Sequence, residues 1–138
     1  MEWFVKAFLK ASITWLGLGV TLGVAMAVHP QFIIYRPAHV HMNLLGFVTM
    51  MIYGVAYHVV PRFTGHQLHA PRVAAAQWWL ANAGLLLMVI GFCLLPHAIP
   101  GATIVLGTGG VLSATAAYCF VYNIWRTIDG QRKPVTHK

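Results

Sequence analysis

Nineteen consecutive residues, from Met42 to Val60, carry no charged side chain. At about 1.5 Å per residue, a helix of this length comes close to the roughly 30 Å of a bilayer's hydrocarbon core. Proline stands on both sides of this stretch, at Pro37 and Pro61. Proline suits the first turn of a helix and does not continue one. The segment is therefore predicted to be a membrane-spanning helix that closes at Pro61.

Three further apolar runs predict three more membrane-spanning helices. Hydrophobic residues make up 59% of the 138 residues and charged residues only 8%, whereas soluble domains contain about 25% charged residues. The sequence predicts an all-α fold, an integral membrane four-helix bundle that forms a single domain of residues 1–138 in contact with lipid. The predicted spans cover residues 4–28, 38–60, 73–95 and 101–125, followed by a basic tail at 126–138.

The distribution of lysine and arginine predicts the orientation in the membrane. Eight of these nine residues lie before the first span, at its start, in the loop after the second span, or at the carboxyl-terminal end, while Arg36 alone lies on the other side. Because lysine and arginine accumulate in cytoplasmic loops, both termini are predicted to be cytoplasmic. The basic residues are scattered among helix ends and form no stripe, which argues against nucleic acid as a partner.

Histidine carries most of the chemistry that the sequence offers. The two carboxylate side chains, Glu2 and Asp129, lie outside the spans, which argues against paired-carboxylate catalysis and carboxylate-bridged metal centres. Neutral imidazole is a common ligand for haem iron, copper and zinc. His39 and His41, beside Asn43, are the strongest candidate ligands. Five of the other six histidines are more typical of hydrogen-bonded residues at helix ends and in loops: His29, His58, His66, His69 and His97.

The spacing of His39 and His41 limits what they can bind together. Residues two apart on an α-helix differ in direction by about 200°. The two histidines therefore point to nearly opposite flanks and cannot ligate one metal from a regular helix. The flank of His39 continues through Asn43, Gly46, Met50, Tyr53 and Tyr57. The flank of His41 continues through Leu45, Val48, Ile52, Val55 and Val59.

Small residues predict where the helices approach closely. Gly19 and Gly23 form a small-xxx-small pair in the first span. The fourth span is rich in glycine, alanine and serine. Both segments are predicted to contact other helices at short range.

The sequence from His41 to Pro61 resembles transmembrane helix II of the haem-copper oxidase catalytic subunit. The residues that carry the resemblance are His41-Met-Asn43-Leu-Leu-Gly46, then Tyr53-Gly54-Val-Ala-Tyr57, then Val-Val-Pro61. The likeness is strongest to nitric oxide reductases and C-family oxidases. In that family the helix II histidine is an axial ligand of the low-spin haem, which implies that role for His41.

The chain departs from the family in size. The family's subunit has twelve or more spans in three pseudo-symmetric arcs of four helices, and its helix X carries a His-x-His whose two histidines serve two haems. This chain has four predicted spans and carries His39-Val-His41 on the second. The resemblance and the divergent histidines together suggest a homotrimer with twelve helices, in which each interface holds a haem between His41 of one protomer and His39 of the next.

The sequence thus predicts a membrane cytochrome with bis-histidine haem b, used for electron transfer in a bacterial or archaeal inner membrane. Arg36 is a candidate for pairing with the haem propionates or with lipid headgroups, and Asn43 for a hydrogen bond near the histidine or to a neighbouring helix. The redox partner is expected to be a quinol or a cytochrome. The alternatives are a haem-based nitric oxide sensor or minimal reductase, a subunit without a cofactor, and a copper or zinc protein that uses His29, His39, His41 and His97.

Overall fold

The computed structural model describes residues 1–130, and four long helices account for nearly all of them. They are α1 (Trp3–Val28), α2 (Pro30–Thr64), α3 (Pro71–Leu94, continued by a 3₁₀ turn at Leu95–His97) and α4 (Ala102–Asp129). Each is long and apolar enough to cross a membrane, and there is no strand among residues 1–130. The predicted all-α, four-helix membrane fold is confirmed. Helix α4 includes residues 126–129 of the predicted tail, and residues 131–138 lie outside the described range.

Helix α2 changes its winding along its length. A 3₁₀ segment (Pro30–Tyr35) leads into an α-helical segment (Arg36–His41), then a π-helical segment (Met42–Thr49), then a second α-helical segment (Met50–Thr64). The prediction that the helix closes at Pro61 is wrong by three residues. Proline removes a single backbone donor there, the one that would bond to the Tyr57 carbonyl, and two side chains add hydrogen bonds within the last turns of the helix. Arg62 Nη1 donates to the His58 carbonyl and Thr64 Oγ1 donates to the Val60 carbonyl, both at 2.9 Å.

The helices run alternately up and down, so that both ends of the described chain meet at one end of the bundle. The ring centroids of Trp3 and Trp78 lie 6.1 Å apart, which joins the start of α1 to the start of α3. Asn123, near the end of α4, exchanges two hydrogen bonds with the backbone of Ala70 just before α3. We call this the basic end, because most of the lysine and arginine residues lie there, and the opposite end the distal end. Its cytoplasmic location stays a prediction.

Aromatic side chains form the core near the basic end. Phe4 and Phe8 of α1 are at most 1% exposed, and they pack edge-on against Tyr57 and Tyr53 of α2 respectively. The ring centroids of Phe120 in α4 and Tyr53 lie 4.6 Å apart. The flank of α2 that follows His39 in the sequence therefore faces the interior of the bundle.

Glycines bring α3 and α4 to backbone contact. A Cβ atom on Gly109 would lie 2.6 Å from the Met88 backbone nitrogen and 2.7 Å from the Gly84 carbonyl oxygen. A Cβ on Gly91 would lie 2.8 Å from the Leu106 Cα. Close approach was predicted for the fourth span, and Gly109 provides it. Gly107, by contrast, faces open space.

Replacing Gly109 by alanine is expected to lower the free energy of unfolding by about 1–3 kcal/mol, because backbone atoms cannot move aside as side chains do. Gly107→Ala is the matched control, and its greater helix propensity is expected to leave stability unchanged or raise it by up to about 1 kcal/mol. Unfolding in mixed detergent micelles, followed by circular dichroism, measures both. Equal effects of the two substitutions would contradict the close contact of α3 with α4.

Candidate functional site

His39 lies between α2 and α1, close to the distal end. Its Nδ1 atom is 2.8 Å from the Gly19 carbonyl oxygen. Because a carbonyl only accepts, this contact requires a proton on Nδ1, and the corresponding neutral tautomer has its lone pair on Nε2. The ring rests against Gly23, where a Cβ atom would lie 2.9 Å from the His39 Cε1. Glycine at position 23 therefore leaves the room that the imidazole occupies.

Asn43 follows His39 by one turn and supports the same contact. Its Nδ2 donates to the His39 carbonyl at 2.9 Å, and a Cβ on Gly19 would lie 2.7 Å from that nitrogen. The Gly19–Gly23 pair was predicted to bring two helices together. Helices α1 and α2 do meet there, and the space above the two glycines is filled by the Asn43 and His39 side chains.

His41 faces α3 rather than α1. Its ring centroid lies 4.6 Å from that of Phe92, with 38° between the planes, and the side chain is half-buried. Its Nδ1 lies 2.8 Å from the Pro37 carbonyl oxygen, one turn earlier in the same helix. This contact again assigns the proton to Nδ1 and leaves the lone pair on Nε2. The two histidines thus contact different neighbouring helices, as their spacing predicts.

The π-helical segment begins directly after His41. Thr49 Oγ1 donates to the Leu44 carbonyl, five residues earlier, at 2.8 Å. Gly46 lies within the segment, where a Cβ atom would come within 2.7 Å of the Trp15 ring. The Trp15 indole in turn donates to Asn82 Oδ1 of α3 at 3.3 Å. π-Helical turns are rare and are frequent at functional sites, and this one is connected to α1 and α3 beside the histidines.

The other candidate residues, Arg36, His29 and His97, make contacts different from those of His39 and His41. Arg36 is exposed and begins the α-helical segment three residues before His39. His97 Nε2 lies 2.9 Å from the Tyr35 hydroxyl, and the His29 ring packs against Phe32. Among residues 1–130, no three histidine, cysteine, aspartate or glutamate side chains are grouped so that they could hold one metal ion. The four-histidine copper or zinc site is therefore not assembled within the described part of the chain.

Sequence reasoning missed the partners that position the two histidines. Phe92 has no polar group and stands in an apolar run, so nothing in the sequence marks it as a neighbour of His41. Gly19 and Gly23 were noticed as a small-residue pair, and the spacing of four residues matches that of His39 and Asn43. A glycine pair facing a polar pair at the same spacing is the signal that could have indicated this contact.

Fold and site together define a helical membrane protein in which one span carries two histidines on divergent flanks, and neither Nε2 makes a hydrogen bond within residues 1–130. No protein-family model matches the chain. The chain is 26% identical, over an alignment of 159 positions, to the Cbb3-type cytochrome c oxidase subunit CcoN1 of Stutzerimonas stutzeri, with 93% of the chain and 33% of that protein covered. It is 28% identical over 120 residues to cytochrome c oxidase subunit 1 of Rhodobacter capsulatus, with 69% of the chain and 23% of that protein covered.

Both similarities agree with the relationship to haem-copper oxidase catalytic subunits that the His41 motif indicates. The relationship is distant in sequence. The chain spans a third or less of the length of these relatives.

Proposed function

We propose that the chain is a membrane b-type cytochrome, in which haem binds between His41 of one protomer and His39 of the next and serves electron transfer. The observation that carries the proposal is the state of the two imidazoles. Each Nδ1–H is hydrogen-bonded to a backbone carbonyl at 2.8 Å. Such a bond fixes the tautomer and the ring orientation of a metal-ligating histidine and makes its Nε2 a better donor.

The donor set fits haem iron. Two neutral imidazoles fill both axial positions, which suits electron transfer better than the binding of a gas or substrate. The two cysteines, Cys93 and Cys119, are far apart in the sequence, so the chain lacks the Cys-x-x-Cys-His motif that attaches c-type haem. The haem is therefore held without a covalent bond, as in b-type cytochromes.

The trimeric arrangement is supported by the divergence of the histidines and by an exposed apolar flank of α2. His39 contacts α1 and His41 contacts α3, so one regular helix does not direct both rings to the same point. The flank of α2 that follows His41 also exposes the apolar side chains of Val48, Ile52 and Val55, which suit a contact with another protomer.

Arg36 and Asn43 have supporting roles in this proposal. The exposed Arg36 guanidinium is a fitting partner for haem propionates, because carboxylates accept two parallel hydrogen bonds from arginine. Asn43 fixes the backbone of His39 through its bond to the carbonyl oxygen. A quinol or a cytochrome is the proposed redox partner, and a bacterial or archaeal inner membrane the proposed location.

Absorption spectra of the detergent-purified protein, oxidised and dithionite-reduced, test the haem proposal. We expect sharp low-spin bands in the reduced state that carbon monoxide does not shift, because both axial positions are occupied. Bands that shift with carbon monoxide would contradict bis-histidine ligation and favour a gas sensor or reductase. Failure to bind haem after reconstitution with haemin would overturn the proposal.

A further inference from the structure

A cavity of about 570 Å³ opens at the basic end of the bundle, far from the two histidines of the candidate site. It lies where the start of α1 approaches the end of α2 and the loop before α3. Its lining includes Pro61 and Pro71, which stand near the ends of two predicted membrane spans. The cavity is therefore at the depth at which the helices leave the hydrocarbon core and meet lipid headgroups.

The lining of the cavity combines apolar and polar walls. Val5 and Leu68 supply apolar surface, whereas His58, Arg62 and Gln67 supply hydrogen-bond donors. Such a lining suits a ligand with an apolar part and a charged headgroup. Basic pockets between membrane helices on the cytoplasmic side are suited to phosphate-bearing lipid headgroups.

Arg62 is the charged group best suited to a phosphate in this cavity. Its Nη1 donates to the His58 carbonyl at 2.9 Å, which holds the guanidinium beside the end of α2. Arginine carries five N–H donors in a planar fork that matches phosphate oxygens. Lys6, Lys10 and Arg72 lie at the same end of the bundle, so the surrounding field also attracts anions.

Glu2 requires a hydrogen-bond donor on the ligand in addition to the phosphate. Glu2 is among the residues that line the cavity, and an ionised carboxylate only accepts hydrogen bonds. A headgroup that carries a hydroxyl beside its phosphate satisfies both Glu2 and Arg62. The glycerophosphate headgroup of phosphatidylglycerol has this combination.

We propose that this cavity binds the headgroup of phosphatidylglycerol, with its phosphate on Arg62 and a glycerol hydroxyl on Glu2. The site is independent of the haem proposal, since it shares no residue with the His39–His41 region. It would hold an anionic lipid at the junction of α1, α2 and the loop before α3.

Native mass spectrometry of the detergent-solubilised full chain, titrated with dioleoylphosphatidylglycerol, tests the proposal. Arg62→Gln is expected to weaken retention of this lipid by about tenfold or more, as expected for the loss of a charged hydrogen bond. Arg72→Gln removes the same charge at the same end of the bundle, from a residue of α3 that does not line the cavity, and it is expected to change retention less than twofold. Gln67→Trp fills the cavity without a change in charge and is expected to weaken retention as well.

Three results would overturn the assignment. Equal losses in Arg62→Gln and Arg72→Gln would mean that the lipid responds only to surface charge. Equal retention of dioleoylphosphatidylcholine and dioleoylphosphatidylglycerol by the unaltered chain would exclude recognition of the glycerol headgroup. Displacement of the lipid by an equimolar amount of glycerol 3-phosphate would identify the ligand as a free phosphate ester and not a lipid. Circular dichroism of each variant confirms that the compared proteins are folded.

Discussion

Replacing His41 by alanine is expected to abolish the low-spin haem spectrum and to weaken haem binding by more than about 100-fold. Changes in residues that only support a ligand typically cost 10–100-fold in metal affinity, and the loss of the ligand itself is expected to exceed that. His39→Ala is expected to have the same effect, because each site uses one histidine of each kind. Haem titration and reduced-minus-oxidised spectra measure both variants. Any haem that still binds is expected to be five-coordinate and to shift its bands with carbon monoxide.

His29 and His97, the other two histidines at the distal end of the bundle, provide the controls for these substitutions. His97 is bonded to the Tyr35 hydroxyl and His29 packs against Phe32, and neither is needed in the proposed site. His29→Ala and His97→Ala are therefore expected to retain the low-spin spectrum. A normal spectrum in His39→Ala would contradict the shared site, and loss of the spectrum in His97→Ala would indicate that His97 supplies the second ligand within one protomer.

Much of the fold follows directly from the sequence, because the membrane restricts what an uncharged run can form. A helix satisfies all of its backbone hydrogen bonds internally, so four long apolar segments predict four helices. The boundaries were less accurate. Pro61 predicted the end of α2, but near a carboxyl terminus a single missing donor is a small loss, and the Arg62 and Thr64 side chains add hydrogen bonds to carbonyls of the same turns.

The directions of His39 and His41 were predictable, whereas their surroundings were not. The angle between them depends only on helix geometry, and the α-helical winding continues through His41. The π-helical segment begins at Met42 and has no clear marker in the sequence, and its close contact of Gly46 with Trp15 joins residues of two different helices. Contacts such as the His39 bond to the Gly19 carbonyl depend on the register of two helices, which local sequence patterns do not fix.

Co-assembly of His39→Ala and His41→Ala protomers is expected to restore low-spin haem binding, which each variant lacks by itself, if each site is shared between protomers. A His39→Ala protomer still provides His41, and a His41→Ala protomer still provides His39. In a cyclic trimer that contains both variants, one of the three interfaces brings the two intact histidines together. Random assembly of equal amounts is then expected to restore about a quarter of the low-spin haem of the unaltered protein.

Co-expression with two different affinity tags, followed by purification over both resins, isolates the mixed oligomers. Their expected occupancy is about a third of the unaltered level, because every mixed trimer has one complete interface. A double His39→Ala, His41→Ala protomer paired with either single variant is the control, and it is expected to restore no low-spin haem because no interface then contains both histidines. If the two single variants also restore none after co-assembly, His39 and His41 do not complete a site across an interface and the shared interface is wrong. Low-spin haem in the mixed oligomers of the two single variants, with none in the control oligomers, would support the proposal that a second copy of the chain completes the site.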